Sequence, residues 1–285
     1  LLKKNLYISK MRQTKCPMCN KSGINSKFIS YNNVAYSVCS YCKTSYQDPI
    51  IKTDYENVDW GNLPGPDGKT KNLKLEKDFK IKNWYGETIK FLNDQSGGSI
   101  LDIGCGLGYF LSALDDKWEK YGLETSDDSI NFINKSFKDL KIYKGTLEKN
   151  DLDLNKKFDL IFFYHVIEHL TKPLEAINKI KLMLKPGGLL IIGTPNASSV
   201  CAKIFKNKFR LLGPGHIFLT THSQMKKVLV NKDFKIEKEE FPFFKTDYFN
   251  LKNILRLFMF HNISPPFYGS IMTVSYTHLT LPTTP

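Results

Sequence analysis

The stretch Ser99-Ile-Leu-Asp-Ile-Gly-Cys-Gly-Leu-Gly108 decides the fold of this chain. Its apolar start, residues 99–103, predicts a buried strand, and the glycines that follow predict a tight turn into a helix beginning at Tyr109. Glycines in such a turn let the backbone approach a ligand closely at the carboxyl edge of a sheet. The pattern is Asp102-x-Gly104-x-Gly106-x-Gly108, which differs from the G-x-G-x-x-G of dinucleotide sites.

Two carboxylates flank this glycine turn. Asp102 precedes the glycines, where it would repel a pyrophosphate and attract a cationic amino-acid group. Glu124 lies twenty residues after Gly104, at the end of the next predicted strand. At that place a carboxylate can accept hydrogen bonds from two ribose hydroxyls.

Strands and helices alternate from residue 99 onward, which predicts an α/β fold with a parallel sheet covered on both faces. The predicted strands are 99–103, 120–124, 141–143, 158–164 and 189–193, with helices over 127–137 and 173–184. Lys185-Pro-Gly-Gly188 is expected to turn the chain into the fifth strand. Residues 234–238 are expected to form a sixth strand, and 268–274 the start of a seventh.

Four of the six cysteines form two C-x2-C pairs near the start: Cys16 with Cys19, and Cys39 with Cys42. Nineteen residues separate the pairs, a spacing typical of a tetrathiolate zinc site. Between them, a hairpin across Asn32-Asn33 is expected. A segment this small needs a metal to fold. Two disulfides are the alternative, disfavoured because no export signal is visible. Cys201, outside both pairs, is expected to be structural.

The charge suggests a nucleic-acid partner at first sight, with a net +13 over 285 residues. All but three of the 41 basic residues are lysine, however, and they are spread over the whole length. Proteins that grip phosphate or guanine favour arginine. Scattered lysines therefore indicate a solvated surface and an AT-rich genome. No apolar run approaches the length of a bilayer span, and no leader is seen, so we expect a cytoplasmic protein.

Four motifs resemble those of class I S-adenosylmethionine-dependent methyltransferases, in order and spacing over about 175 residues. They are Leu101-Asp-Ile-Gly-Cys-Gly-Leu-Gly-Tyr-Phe-Leu111, Tyr121-Gly-Leu-Glu-Thr-Ser126, Phe158-Asp-Leu-Ile-Phe-Phe-Tyr-His-Val-Ile-Glu-His-Leu170 and Leu184-Lys-Pro-Gly-Gly-Leu-Leu-Ile-Ile-Gly-Thr-Pro195. The resemblance implies a Rossmann-like, doubly wound sheet of seven strands in the order 3-2-1-4-5-7-6, with the last strand truncated. A dinucleotide-binding or degenerate Rossmann domain is the alternative.

The resemblance also implies the cofactor site. Asp102, Gly104 and Gly106 would surround the methionine end of S-adenosylmethionine, Glu124 would bind the ribose, and Leu147 and Glu148 would flank the adenine. Tyr164 and His165 would close the site after the fourth strand. The full set of cofactor-binding residues that we predict is Asp102, Gly104, Cys105, Gly106, Gly108, Glu124, Thr125, Leu147, Glu148 and Tyr164.

The front end is similar to that of a large bacterial group that combines a zinc ribbon with this catalytic domain. Its members act on sugars, nucleotide-sugars, glycans and other small metabolites, which implies such an acceptor here. Residues 194–221, with His216, resemble the substrate-covering insertion of that group. The alternatives are an RNA methyltransferase that uses the ribbon to bind RNA, and a non-catalytic binding protein. The aromatic-rich segment 241–260 is expected to be a lid helix, with peripheral membrane contact as the alternative.

The motif His165-Val-Ile-Glu-His169 has three interpretations. It matches the H-x-x-E-H text of one zinc-peptidase class, but it follows a methyltransferase strand. It also resembles the Glu-x-x-Glu-His metal site of ubiquinone-biosynthesis and small-RNA 2′-O-methyltransferases, from which His165 departs. In the third, Glu168 and His169 orient the loop before Pro173, and His165 and His216 face the acceptor as candidate general bases. We predict the third.

The predicted organisation is a zinc ribbon over 11–50, a linker and leading helix over 51–96, and the methyltransferase domain over 97–274. The stretch 275–285, Ser275-Tyr-Thr-His-Leu-Thr-Leu-Pro-Thr-Thr-Pro285, is uncharged and has no helical period. It resembles translated adapter sequence, so we expect a poorly packed, non-native tail. Residues 1–10 precede the first methionine and are expected to be upstream translation.

Overall fold

The structure is a computed structural model, and it describes residues 6–8, 12–64, 70–149, 156–259 and 263–278. The strands are β1 (Leu6–Ile8), β2 (Ile24–Ile29), β3 (Ala35–Cys39), β4 (Ser45–Gln47), β5 (Ile51–Thr53), β6 (Leu63–Pro64), β7 (Thr70–Lys71), β8 (Gly98–Ile103), β9 (Trp118–Glu124), β10 (Lys141–Lys144), β11 (Phe158–Tyr164), β12 (Leu184–Pro195), β13 (Phe218–Leu219), β14 (Phe234–Glu240) and β15 (Ile271–His278). The α-helices are α1 (Lys77–Lys80), α2 (Gly86–Asn93), α3 (Tyr109–Ser112), α4 (Asp127–Ser136), α5 (Pro173–Met183), α6 (Val200–Phe205), α7 (His222–Val230) and α8 (Leu251–Arg256). Short 3₁₀ turns occupy Leu73–Leu75, Ile167–His169 and Lys206–Lys208.

A seven-stranded sheet forms the centre of the fold, in the order β10-β9-β8-β11-β12-β15-β14. Its first five strands are parallel, and β15 runs antiparallel to both of its neighbours. Strand β11 is apolar except for Asp159, and both central strands, β8 and β11, are buried on both faces. Because parallel strands end at the same edge, the residues after β8, β9, β11 and β12 meet there.

Strand β12 begins earlier than predicted. It starts at Leu184, so Lys185-Pro-Gly-Gly188 lies inside the strand as an irregularity and is not a separate turn. The pairing with β11 shifts register there, with Phe158 opposite Leu184 and Leu160 opposite Leu189. Gly187 has a φ of +75°, a conformation that glycine adopts readily. The strand can therefore bulge at this point and still pair with β11 on both sides of the bulge.

The last strand extends beyond its predicted end. Strand β15 runs to His278 and pairs with both β12 and β14, so a poorly packed tail beginning at residue 275 is wrong for residues 275–278. The reason is alternation along the strand: Met272, Val274 and Tyr276 point to one buried face, and Tyr276 has no exposed surface. The remaining tail residues, 279–285, lie outside the described residues.

The front segment forms a sheet with the catalytic domain. Strands β2, β3 and β4 make the expected hairpin structure, and β13 from the 194–221 insertion pairs antiparallel with β4. The predicted division at residue 50 is therefore too sharp, because one sheet contains strands from both sides of it. Strand β1 pairs antiparallel with β5, so residues 6–8 are part of the folded chain and not apart from it.

Two segments pack against each other beside the carboxyl edge of the central sheet, where Trp84 contacts both His165 and Tyr248. The first is the leading helix, in which a π-helical turn (Ile81–Tyr85) joins α1 to α2. The second is the segment around α8, whose helix spans only six residues and not the predicted 241–260. Phe243 of this second segment is buried, whereas Phe244, Leu251 and Phe258 are exposed. No helix in the described part of the chain is long and apolar enough to cross a membrane.

Candidate functional site

The glycine turn after β8 has the geometry of a ligand cradle. Gly104, Gly106 and Gly108 have φ values of +73°, +55° and +71°. These values favour glycine over any residue with a side chain. A Cβ on Gly104 would lie 2.5 Å from Cγ2 of Val166, so the turn packs directly against the loop that follows β11. A Cβ on Gly106 would meet no atom within 4 Å, so the space beside this residue is open.

Glu124 holds the glycine turn in place from the end of β9. Its Oε2 accepts a hydrogen bond from the Gly106 amide at 2.8 Å. Its Oε1 accepts from the amides of Thr125 at 2.7 Å and Ser126 at 2.8 Å. Burial raises the pKa of Glu124, and these three amides oppose the increase. Oε1 thus accepts two hydrogen bonds and Oε2 accepts one, so Oε2 keeps a lone pair that can accept from a ribose hydroxyl.

Asp102 is buried at the end of β8, beside the turn. Burial, and then the charge of Glu124, raise its pKa well above the ordinary value. A cationic group placed beside these two carboxylates would lower the pKa of Asp102 and so oppose both causes of its increase. The pair therefore fits the ammonium and ribose ends of S-adenosylmethionine, and the open space beside Gly106 fits the close approach of a ligand.

Other predicted cofactor residues have different surroundings. The Cys105 thiol packs against β9, where a Cβ on Gly122 would lie 2.6 Å from its Sγ, so Cys105 faces the protein and not the open side of the turn. Leu147 is buried. Glu148 accepts hydrogen bonds from the amides of Thr171 at 2.7 Å and Lys172 at 2.9 Å. Glu148 thus holds the loop before Pro173, which the sequence predicts to be oriented by Glu168 and His169.

Tyr164 ends β11 and lies flat over the backbone of the neighbouring strand. A Cβ on Gly193 would fall within 2.1 Å of its ring, so this glycine is required for the ring to fit. The ring stacks on Phe162 at 5.3 Å and meets His165 edge-on at 4.8 Å. Burial raises the pKa of Tyr164 to about 12, so the phenol stays protonated at neutral pH.

His165 and Glu168 form a pair immediately after β11. The His165 backbone has a φ of +56°, and its amide donates to Gly193 at 2.8 Å. Its Nδ1 lies 2.9 Å from Oε1 of Glu168, while Oε2 of Glu168 accepts from the Thr194 hydroxyl at 3.0 Å. Burial would raise the pKa of Glu168, but the hydrogen bond from His165 and the nearby histidines hold it at about 2. Glu168 is thus an ionised, fully buried carboxylate.

His169 and His216 lie on the other side of Glu168. Their rings are 4.9 Å apart, and one ligand atom from each, with one from Glu168, lies within 4.8 Å of the others. The Nδ1 of His169 is 2.6 Å from the Gly215 carbonyl, and Nδ1 of His216 bonds the Leu211 carbonyl. The Tyr55 hydroxyl also lies 2.8 Å from Nδ1 of His169. The Leu211 carbonyl only accepts, so Nδ1 of His216 carries a proton and Nε2 of the neutral His216 ring has a free lone pair. Burial and then the charge of His169 lower the pKa of His216 to about 4. This donor set could hold a metal ion.

Aromatic residues of the leading segment, which the sequence interpretation missed, complete this edge. The Trp84 ring lies 5.8 Å from His165, and its Nε1 donates to the Tyr248 hydroxyl at 3.0 Å. The Trp60 Nε1 donates to Ser126 at 3.2 Å, beside the loop held by Glu124. The only available signal was two of the chain's three tryptophans in a stretch otherwise interpreted as linker and helix.

The four ribbon cysteines converge on one point. Sγ of Cys16 is 3.5 Å from that of Cys42, and Sγ of Cys19 is 3.5 Å from that of Cys39. All four lie within 4.8 Å of one another. Tetrahedral zinc with bonds of about 2.3 Å needs sulfur atoms about 3.8 Å apart, so these cysteines fit the ion.

The ribbon also holds the loop that carries His216. The Tyr36 hydroxyl donates to the carbonyls of Gly213 at 2.9 Å and His216 at 2.8 Å. The Gln47 amide donates to Pro214 and to His216, both at 3.0 Å. Tyr36 and Gln47 are buried, so the ribbon fixes the backbone of this loop from behind.

Comparison with known proteins gives a consistent result. The family model of the methyltransferase domain matches residues 80–239. The mitochondrial ubiquinone biosynthesis O-methyltransferase of Dictyostelium discoideum is 25% identical over 177 residues, which cover 52% of this chain and 53% of that protein. The tRNA U34 carboxymethyltransferase of Pseudoalteromonas translucida is 30% identical over 130 residues, covering 43% of this chain and 39% of that protein. The chain thus spans about half the length of these curated relatives or less.

Solved structures agree on the fold. A chain in the complex of the Haloferax volcanii Trm112 methyltransferase activator with a methyltransferase superposes with a TM-score of 0.56 at 13% identity. The match covers 72% of this chain and 94% of that chain. At this identity the likeness concerns the arrangement of strands and helices alone.

Proposed function

The chain belongs to the methyltransferase-domain family, and from that premise we propose that it transfers a methyl group from S-adenosylmethionine to a small acceptor. The acceptor class is a sugar, nucleotide-sugar, glycan or other small metabolite that carries a hydroxyl or amine. The observation that carries this proposal is the His165–Glu168 pair, which lies in the loop packed directly against the glycine turn. A proton acceptor and a cofactor cradle thereby share one edge of the sheet.

The cofactor would be held by the turn and its two carboxylates. Gly104 and Gly106 provide backbone without side chains, Asp102 attracts the ammonium of the methionine moiety, and Oε2 of Glu124 accepts from a ribose hydroxyl. S-adenosylmethionine, when bound, supplies an electrophilic methyl group on a sulfonium. Transfer of that group in line needs little covalent help from the protein, because correct placement of donor and acceptor accounts for most of the rate.

His165 is the general base in this proposal. An ionised carboxylate has no proton to donate, so Nδ1 of His165 is the donor in its hydrogen bond with Glu168. The imidazole proton therefore stays on Nδ1, and the lone pair stays on Nε2. That nitrogen takes the proton of the acceptor hydroxyl or amine as the new bond to the methyl group forms. Thr194 fixes the second oxygen of Glu168, so the carboxylate cannot rotate away from the histidine. His216, held neutral by its lowered pKa, is the second candidate base.

The zinc ribbon has a structural part in this proposal. Its metal would order the cysteine knuckles, and its side chains Tyr36 and Gln47 would keep the His216 loop against Glu168. No step of the transfer uses the zinc, because the cysteine cluster is made of four sulfur ligands and has no open position.

Methylation of RNA is the second candidate function. A cleft of about 560 Å³ between the ribbon and α7 is lined by Lys43, Lys203 and Lys227, together with hydroxyls of Thr221 and Ser223. Such a surface suits phosphates. The tRNA-modifying relative adds weight to this candidate. RNA binding would weaken steeply with salt, whereas binding of a neutral sugar would not.

The test is methyl transfer from labelled S-adenosylmethionine to nucleotide-sugars, glycolipids and RNA. The variants are His165→Asn, which keeps a residue type tolerant of positive φ, and Glu168→Gln. The matched control is His222→Asn, because His222, at the start of α7, pairs with Glu239 of β14. We expect both site variants to lower kcat by about 10²–10⁴-fold, the range for a general base, with the control unchanged. Near-normal turnover of His165→Asn would overturn the assignment.

A further inference from the structure

The segment around α8 presents large apolar side chains to solvent. Phe258 is 70% exposed and Leu251 is 69% exposed. Single exposed apolar side chains are ordinary on a protein surface, but here six fall between residues 244 and 259. Apolar surface concentrated in this way marks a contact with another molecule. We call this set the α8 patch, and its members are Phe244, Phe249, Leu251, Leu255, Phe258 and Met259.

Aromatic rings form the first part of the α8 patch. The centres of the Phe244 and Phe249 rings are 5.2 Å apart, and both rings pack on the buried Phe243, at 5.3 Å and 5.5 Å. Tyr268, which is also exposed, lies 5.2 Å from Phe244. Rings at such separations are in contact, so the exposed aromatic side chains make one continuous surface.

The short helix α8 forms the second part of the patch. Leu251, Leu255 and Phe258 are spaced by four and then three residues, so they share one face of α8 and of the turn that follows it. The opposite face is fixed to the protein: the side-chain amide of the buried Asn253 donates to a backbone carbonyl of the preceding loop at 3.0 Å, and Leu257 packs on a buried apolar cluster. A surface helix ordinarily turns its apolar stripe inward, so α8 has the reverse orientation.

Basic residues border the α8 patch. Lys252 and Arg256 lie one turn apart beside the apolar stripe. Neither forms an ion pair with another described residue. The sequence 241–268 contains a single acidic residue, Asp247, and its carboxylate is paired with Lys82 at 2.7 Å. The border of the patch therefore carries uncompensated positive charge.

An apolar surface with a basic border is complementary to an anionic lipid bilayer. The headgroups of such a bilayer attract cations, and the region beneath them accepts Phe and Leu side chains. A second copy of the chain fits less well, because a symmetric contact would bring the positive borders of two patches together in molecules of net charge +13. We propose that the α8 patch docks the protein on an anionic phospholipid bilayer, with Lys252 and Arg256 at the phosphates.

The docking face adjoins the edge of the sheet where we place methyl transfer. Tyr248 precedes Phe249 of the patch, and its hydroxyl accepts a hydrogen bond from Nε1 of Trp84 at 3.0 Å. The Trp84 ring in turn lies 5.8 Å from His165. Docking needs no prior folding of α8, because the inner face of this helix is already packed. The proposal goes beyond the proposed function, since docking requires neither cofactor nor acceptor.

Co-sedimentation of the full chain with lipid vesicles tests the proposal. Vesicles of phosphatidylcholine alone are compared with an equimolar mixture of phosphatidylcholine and phosphatidylglycerol. The first double variant, Leu255→Gln with Phe258→Gln, removes apolar contact. Its matched control is Leu182→Gln with Val230→Gln, at two exposed apolar residues of α5 and α7. We expect the patch variant to lower partition onto the anionic vesicles at least tenfold and the control to leave it unchanged.

The second double variant, Lys252→Gln with Arg256→Gln, removes the basic border. Its matched control is Lys135→Gln with Lys138→Gln, which removes two charges from exposed lysines in and just after α4. We expect the border variant to lower partition onto the anionic vesicles roughly 25-fold, about fivefold for each charge. Raising the salt to about 0.5 M should weaken binding of the wild type in the same way. All four variants should keep the urea midpoint of the wild type, because every replaced side chain is at least partly exposed.

Three results would overturn the proposal. The first is a wild-type protein that stays in solution with the anionic vesicles. The second is an equal loss in the α4 control, which would show a response to total charge and not to the patch. The third is a dimer in sedimentation velocity that Leu255→Gln with Phe258→Gln dissociates, which would assign the patch to a second copy. Normal vesicle binding without methyl transfer would refute the proposed function alone, so the two failures are distinguishable.

Discussion

Replacement of Glu124 by alanine tests the cofactor site and the glycine turn together. In the structure this carboxylate accepts hydrogen bonds from the amides of Gly106, Thr125 and Ser126. Alanine would leave all three donors without a protein acceptor. The variant should therefore lose stability before any ligand is added, in addition to losing ligand affinity.

The size of the first loss follows from the three amides. A buried donor that loses its partner costs about 1–3 kcal/mol. Gly106 and Thr125 are partly accessible to water, so the lower figure applies and the sum is about 3 kcal/mol. The second loss concerns the ribose. Hydrogen bonds to an ionised group contribute about 1.5–3 kcal/mol, which corresponds to a roughly 10- to 150-fold higher Kd for S-adenosylmethionine.

Urea unfolding without ligand measures the first loss, and calorimetry with S-adenosylhomocysteine measures the second. Glu124→Gln keeps one acceptor oxygen and should fall between wild type and alanine in both measurements. Glu119→Ala on the same strand is the control, because Glu119 is half exposed and pairs with Lys141 at the surface. An alanine variant within about 0.5 kcal/mol of wild type in stability, with unchanged affinity, would refute the reasoning, since changes that small are typical of featureless surface sites.

Four further outcomes are expected. Purified protein should contain one zinc per chain, and its removal should expose the four ribbon cysteines to thiol reagents; metal analysis without zinc would contradict this. A chelator that leaves the ribbon zinc in place should not change turnover, and a loss would instead assign a metal to Glu168 and its neighbouring histidines. Lys80→Met should raise the unfolding free energy at pH 7 by up to about 3 kcal/mol. Because its pKa lies near 8 in the folded state and near 10.5 unfolded, this gain should shrink as pH rises between those values. Tyr276→Phe should add about 1 kcal/mol, because the buried Tyr276 hydroxyl has no partner in the described residues, and chemical denaturation would detect it.

The sequence was sufficient to predict the elements whose signals are local. Strand β11 begins and ends where its apolar run does, and α5 begins at Pro173, a residue suited to the first helical turn. The two C-x2-C pairs predicted a cluster, and the four sulfur atoms do converge. In each case neighbouring residues alone contain the information.

Features that depend on distant contacts could not be predicted in this way. Strand β13 has two residues, too few for any periodicity, and it exists because β4 offers a free edge. The place of Glu148 beside adenine stays a prediction, and no local pattern indicates that its carboxylate also accepts from amides of the loop before α5. Lys80 is buried, whereas lysine is usually exposed. Its burial depends on the packing of Trp60 and Trp84 against its ammonium, which no sequence pattern indicates.

The joining of β13 to the ribbon sheet limits how such proteins can be recombined. The ribbon supplies the strand edge, and Tyr36 and Gln47 supply the donors, for one particular backbone path between residues 213 and 219. In a relative whose backbone follows a different path over these residues, the ribbon's donors would be placed for other carbonyls. Grafted into this chain, that ribbon would not match the carbonyls of residues 213–219. A working chimera therefore needs to exchange the ribbon and residues 210–221 as one unit, and inherited changes in acceptor preference should alter both segments together.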